Sequence, residues 1–250
     1  MEISQDYLLG GRVRFSQPLE GYRAGIDPVL LAACVPIKEN ETFLDVGCGV
    51  GGALLCLAMR VSGCQGVGIE REPELAGLAR FNVEANGLSE RIQIITGDVF
   101  SAEAPLKTHG FDHVVTNPPF VSVSSTSAKG MLKRRAHQEE DSDSLEKWLT
   151  FCLKRTKTKG RLTLIHRTDR LDHIICALKG RLGEVTLIPL WSKADRPSKR
   201  FILTGRKEVK APLTLHPGLM VHTLDGTYTP QAEAILSHAK GFEIKTVSTS

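Results

Sequence analysis

Residues 42–52 read TFLDVGCGVGG, and the fold turns on that stretch. A short apolar run, Thr42 to Val46, enters a turn carrying Gly47, Gly49 and Gly51 or Gly52, and a helical stretch (51–61) follows. Glycines at such a turn let the backbone approach a ligand closely and aim amide donors from a helix N-terminus. Outward from this unit the same alternation repeats. The runs at 42–47, 66–70, 92–99, 111–117, 161–166, 184–190 and 200–205 predict strands, with helices between them at 51–61, 73–86, 143–157 and 168–179. Val/Ile/Leu-rich strands alternating with helices predict a doubly wound α/β fold, a mostly parallel seven-stranded sheet covered on both faces. Ahead of it, residues 1–41 predict a cover segment. It comprises a hairpin from Asp6 to Gln17 around Gly10-Gly11, then a helix with Asp27 at its N-cap and Pro28 at its first position. Residues 42–250 form the main domain, with no linker or internal repeat. Only 121–142 break the rhythm, in a Ser-rich and then charged loop of a length that is usually functional or disordered.

Composition narrows the class. With 41% hydrophobic and 24% charged residues the chain is globular rather than disordered or fibrous. No apolar run approaches the ~18 residues of a membrane span, and the first residues, MEISQDYLLGG, carry acids where a signal peptide needs bases. The six cysteines contain no C-x-x-C pair, so they predict reduced thiols in a cytoplasmic protein rather than a disulfide framework. The net charge of +4 is unevenly spread: residues 1–116 hold 9 Lys/Arg against 15 Asp/Glu, residues 117–250 hold 23 against 13. A basic half suits either an ordinary solvated surface or a nucleic-acid partner.

The glycine turn taken alone is ambiguous. As G-x-G-x-x-G (Gly47, Gly49, Gly52) it matches a dinucleotide fingerprint, with Glu70 at the next strand end for a ribose diol. It also matches a tight turn that binds nothing. Asp45, just before the first glycine, argues against a pyrophosphate, because a carboxylate there repels phosphates. It suits a positively charged cofactor such as S-adenosylmethionine. Asp98 in GDVF (97–100) follows the third strand, where a carboxylate can accept from an adenine amino group while the Val99 amide donates to a ring nitrogen; the competing reading is a helix cap.

The fourth strand ends in Asn117-Pro118-Pro119-Phe120. Such a string arises by chance in a chain this size with odds on the order of 10⁻³. The lone pair of an amide or arylamine nitrogen is delocalised and poorly nucleophilic. An Asn side-chain oxygen and a proline-held carbonyl can both accept from the same NH₂, localising that lone pair and aiming it, while Phe120 stacks on the flat group. Orientation and fixed dipoles then supply most of the rate. None of the usual metal spacings appears.

Together the glycine turn and NPPF resemble class I S-adenosylmethionine-dependent methyltransferases acting on planar amino nitrogens. Further stretches, FSQPLEGYRAGIDPVLLAA (15–33), KRRAHQ (133–138) and RFILTGRK with the LHPGLMVHTLDGTYTPQAEAIL that follows, resemble the bacterial tRNA (adenine-N6)-methyltransferases that modify the base beside the anticodon of a valine tRNA. The resemblance implies a cofactor held by Asp45, Gly47, Gly49, Gly51, Glu70 with its neighbour Arg71, Asp98, Val99 and Asn117, and catalysis at Asn117, Pro118 and Phe120. It implies tRNA as the partner, met by Lys133, Arg134, Arg135 and Arg200. Arg196, Lys199, Arg206 and Lys207 extend the same expected face, or line an ordinary strand edge. A protein glutamine amide and guanine N2 of rRNA are alternative acceptors, since their methyltransferases share the tetrapeptide, although 41 residues are too few for the helical bundle expected before a glutamine enzyme. A non-catalytic RNA-binding module is the further alternative.

Overall fold

The computed structural model of the protein describes residues 2–20, 23–101, 106, 110–118 and 144–244. The strands are β1 (Ile3–Leu8), β2 (Val13–Pro18), β3 (Thr42–Val46), β4 (Gln65–Glu70), β5 (Ile92–Thr96), β6 (Phe111–Thr116), β7 (Thr156–Arg167), β8 (Leu182–Trp191), β9 (Arg200–Lys207), β10 (Thr214–Leu215) and β11 (Leu219–Met220). The helices are α1 (Asp27–Ala33), α2 (Gly52–Arg60), α3 (Pro73–Ala85), α4 (144–155), α5 (Leu171–Leu178) and α6 (Pro230–Leu236). The main sheet has nine strands in the order β10-β8-β9-β7-β6-β3-β4-β5, with β11 also on β8. From β5 to β7 all pairings are parallel, and β9 runs antiparallel between β7 and β8.

All seven expected strands are present. The two additional ones, β10 and β11, are two residues long, too short to show an alternating pattern, and both pair with β8. Two boundaries differ from expectation. The helix expected to run to residue 157 ends at 155, because Thr156 pairs with Phe111 and the sequence TKTKG, β-branched and glycine-ended, favours extended backbone over helix. β5 ends at Thr96, so Asp98 and Val99 lie in the loop beyond it. A third difference is at α1, where Ile26 occupies the cap position and Asp27 lies in the first turn, its carboxylate 3.2 Å from Arg200 Nε.

Period-2 alternation sorts side chains between the two faces. Phe43, Ile92, Ile94, Val115, Ile165, Ile188 and Ile202 lie on one, covered by α1, α2, α3 and α6. Leu44, Val46, Ile69, Val114, Leu162, Leu164 and Leu203 lie on the other, covered by α4 and α5.

The β1–β2 hairpin is a separate two-stranded sheet, attached by Asn82 of α3 and by Asn86, which caps that helix at its C-terminus. Asn82 accepts from the Ser16 amide and donates to the Ser16 and Val50 carbonyls; Asn86 accepts from the Arg14 amide and donates to the Arg14 carbonyl. One helical turn, four residues at about 1.5 Å each, nearly matches two strand residues at about 3.4 Å, so asparagines four apart meet alternate residues of β2 as a neighbouring strand would. Asn82 is 1% exposed. Asn82→Ala strands three backbone groups and is expected to cost about 2–4 kcal/mol, read by urea denaturation, with Asn86→Ala costing less because its bonds are exposed. Equal losses in the two variants would contradict this attachment.

Candidate functional site

β3 has β4 on one side and β6 on the other, so the chain order reverses there, and open α/β sheets bind ligands outside the carboxyl ends of strands at such a point. The β3–β6 register sets Asp45 beside Val115 and Val46 beside Thr116. Gly47 and Asn117 therefore leave the sheet next to each other.

Gly47, Gly49 and Gly51 all have positive φ, at 70°, 56° and 94°. Gly51 caps α2 in the left-handed conformation and Gly52 is its first helical residue, pressed by Pro28 and Phe15 of the cover segment. At Gly47 a side chain is excluded twice over, by φ and because a Cβ would sit 2.8 Å from the Trp148 ring. Glu70 closes β4 beside this loop, accepting from the Gly49 amide at 2.9 Å through one oxygen and from the Glu72 amide at 2.9 Å through the other. Arg71 points outward, ion-paired with Glu72 at 3.0 Å. After β5, Asp98 accepts from the Phe100 amide, a local side-chain turn rather than a helix cap, and Val99 is buried. Asn117 is half-buried and Pro118 buried.

Asp45 is strongly perturbed. It is 2% exposed, and its Oδ2 has no hydrogen-bond partner among the described residues. Burial first, and then the nearby Glu70 charge, push its carboxyl up to about 7, although the Leu54 amide at the start of α2 pulls the other way. Its own burial first, and then the same two carboxyls, push the Cys48 thiol well above the ordinary thiol range.

Sequence reasoning brought Asp45, Gly47, Gly49, Gly51, Glu70, Asp98, Val99 and Asn117 to one rim of the sheet, and the structure places them there. It missed Thr116 and Trp148, the residues that join the loops. Thr116 is one letter inside the run 111–117 and Trp148 one letter inside the helical stretch 143–157, and neither stands out there. Phe120, Lys133, Arg134 and Arg135 lie outside the described residues. Arg200 begins β9 opposite Arg167, at the end of β7, on the same rim as Asn117, with Asp27 as an ion-pair partner. Arg206 and Lys207 lie at the other end of β9, about 20 Å away at roughly 3.4 Å per residue. There Arg206 pairs with Glu184 and Lys207 donates to the Thr156 carbonyl. These two do not share the rim that carries Asn117.

A family model described as methyltransferase small domain matches residues 24–145, which hold all of the loops just described. The tRNA1(Val) (adenine(37)-N6)-methyltransferase of Porphyromonas gingivalis is 33% identical over 220 residues, 84% of this chain and 85% of the relative. This chain belongs to that family. The enzyme of the same name from Yersinia pestis is 27% identical over 246 residues, 93% of this chain and 95% of that one. Among solved structures, a predicted O-methyltransferase of Agrobacterium tumefaciens superposes with a TM-score of 0.74 at 24% identity, covering 88% of this chain and all of that one. The T. thermophilus 16S rRNA N2 G1207 methyltransferase, solved with its cofactor and guanosine, superposes with a TM-score of 0.57 at 18% identity, over 83% of this chain and 50% of that one. Both share the fold.

The chain is an S-adenosylmethionine-dependent N-methyltransferase. The residues present fit that cofactor, because a buried carboxylate oxygen left unpaired beside a glycine loop is a partner for a cation and a poor one for a phosphate. No described helix is long and apolar enough to cross a membrane.

Such a carboxylate costs stability. Below about pH 4 Asp45 is protonated in folded and unfolded chains alike. Between about pH 4 and pH 7 the unfolded chain releases the proton and the folded one keeps it, so stability falls as pH rises; above about 7 the loss is constant. Asp45→Asn removes the ionisation and is expected to be more stable than the wild type at pH 8 by on the order of 2–4 kcal/mol, with a much smaller difference at pH 4. Urea denaturation at the two pH values checks this, and an unchanged difference would contradict the buried-carboxylate account.

Proposed function

We propose that the protein methylates N6 of adenine 37 in a valine tRNA, the reaction for which its Porphyromonas gingivalis relative is named. The observation that supports it most is the meeting of Asn117-Pro118 with the glycine loop at the chain reversal of the sheet. An alignment site for a planar amino group thereby stands against a site for a cationic cofactor. When bound, S-adenosylmethionine supplies an electrophilic methyl group on a sulfonium.

The chain's residues do the rest. Asn117 Oδ1 and the Pro118 carbonyl accept from the two N6 hydrogens, which takes the lone pair out of conjugation with the ring and fixes its direction. Pro118 holds that carbonyl, since its φ is locked and its nitrogen carries no hydrogen to compete. Phe120 stacks on the base once it leaves the anticodon loop. Glu70 takes the ribose hydroxyls, for each carboxylate oxygen keeps a second lone pair after binding its backbone amide. Asp98 and the Val99 amide read the cofactor's adenine, Arg71 borders the ribose, and Asp45 pairs with the cationic end. Asp45→Asn is therefore expected to weaken cofactor binding even as it stabilises the free protein.

Asn117→Ala should lower the single-turnover rate by roughly 10²–10³, the usual effect of deleting one preorganised polar group, with cofactor affinity nearly unchanged. The functional reading itself is tested on tRNA nucleosides from cells with and without the gene: one N6-methyladenosine should vanish from a valine tRNA. Its persistence would overturn the assignment.

For the RNA, the loop between β8 and β9 presents exposed Arg196 and Lys199 on the catalytic rim; Lys133, Arg134 and Arg135 follow the NPPF segment in sequence. The exposed Arg196–Asp195 pair, at 3.7 Å, is a weak competitor for phosphate. Replacing Arg196 and Lys199 by Ala should make log affinity against log salt shallower by roughly one to two units, whereas Arg206→Ala, at the far rim, should leave the slope alone. The reverse pattern would put the RNA on the opposite edge.

A further inference from the structure

Two residues outside every recognised motif join the parts of this site. Thr116 is the last residue of β6, wholly buried and next to Asn117. Its hydroxyl donates to the Val46 carbonyl at 2.9 Å and accepts from Trp148 Nε1–H at 2.9 Å. A hydroxyl has one proton and the indole N–H can only donate, so the direction of this chain of bonds is fixed. The Trp148 ring lies against Gly47, where a Cβ would come within 2.8 Å of Cζ2 and Cη2, and meets Phe100 edge to face with centroids 5.9 Å apart. A single side chain of α4 thus touches the segments that leave β3, β5 and β6.

The need for it follows from the backbone. The β3–β6 register ends at Val46 and Thr116. Beyond that pair β3 turns into the glycine loop while β6 runs into Pro118, which has no amide hydrogen to donate to another rung. The two segments that matter most for the chemistry therefore leave the sheet where its ladder has run out. The Thr116 hydroxyl adds one more rung at that point, and the indole fixes the hydroxyl while bracing the far side of Gly47.

We propose that Thr116 and Trp148 are positioning residues that set the separation between the glycine loop and Asn117, and hence the distance across which the methyl group passes. The proposal rests on the methyl-transfer reading above.

The test uses near-isosteric variants. Thr116→Val keeps the shape and loses the hydroxyl; Thr116→Ser keeps the hydroxyl; Trp148→Phe keeps an aromatic ring and loses the N–H. With cofactor and tRNA saturating, Thr116→Val and Trp148→Phe should each slow single-turnover transfer by on the order of tenfold or more, as small misplacements of reacting groups do. Cofactor affinity by calorimetry should change far less, and Thr116→Ser should restore most of the rate. The Thr116→Val/Trp148→Phe double variant should be little slower than the worse single one, because both break one chain of bonds. Thermal melting shows which variants are folded; should Thr116→Val not fold, Trp148→Phe and Thr116→Ser decide. A normal rate in Trp148→Phe, a Thr116→Ser enzyme as slow as Thr116→Val, or a rate loss matched by an equal loss of cofactor affinity would overturn the positioning role. A wild-type enzyme that transfers nothing to tRNA would instead fail the functional reading, and this proposal with it.

Discussion

The parallel pairing of β3 with β6 is the constraint from which the site is counted. Because side chains alternate, a register that sets Val46 beside Thr116 sends Asp45 to the face under α2 and Thr116 to the face under α4. A slip of one residue would turn one of the two strands over, putting either the carboxylate under α4 or the Thr hydroxyl under α2, out of reach of the Val46 carbonyl. Register is well determined here because both faces are buried. Phe43, Leu44 and Val46 are each wholly inaccessible, so any slipped pairing would drive Asp45 or Thr116 into the wrong apolar layer. The accuracy of the site is inherited from the core.

Asp45 shows the opposite relation between core and site. Its carboxyl sits where an apolar side chain would stabilise the protein more, and its Oδ2 finds no compensating donor among the described residues. Only the helix-terminal amide of Leu54 offsets the burial. A group that weakens the free protein yet faces the ligand side of the sheet is best understood through what binds there. In the proposed function a cation would supply the missing partner and favour the ionised form, so that cofactor binding would offset a cost that folding incurred.

Most of this architecture was legible from residues. The seven main strands and the glycine turn announced themselves because parallel strands buried on both faces are continuous apolar runs, and a strand-to-helix turn with positive φ needs glycine. Asn117 was found because proline is rare enough for its company to mean something. What escaped was whatever depends on distant parts of the chain meeting. Asn82 and Asn86 look like polar positions on an amphipathic helix, and nothing in their spacing says that β2 lies across them. Trp148 looks like core because most of it is core. The strand residues β10 and β11 carry no pattern at all, being fixed by the edge of β8. Arg206 and Lys207 were grouped with Arg200 because they are near in sequence, whereas a strand separates its two ends by its full length.

The two helical layers meet the site from opposite sides, and that arrangement explains where its joining residues must lie. The glycine loop feeds α2 in one layer, while α4 belongs to the other, and the sheet keeps the layers' side chains apart everywhere along its length. Contact between them is possible only past the strand ends, where backbone no longer intervenes. Gly47 is the first residue beyond β3, and having no side chain it leaves the space into which the Trp148 ring reaches. A substitution at Gly47 would therefore do more than strain one φ angle. It would push α4 away from the loop, lengthen the Trp148–Thr116 bond, and loosen the last rung before Asn117, so that one added methyl group at the glycine loop is felt at Asn117.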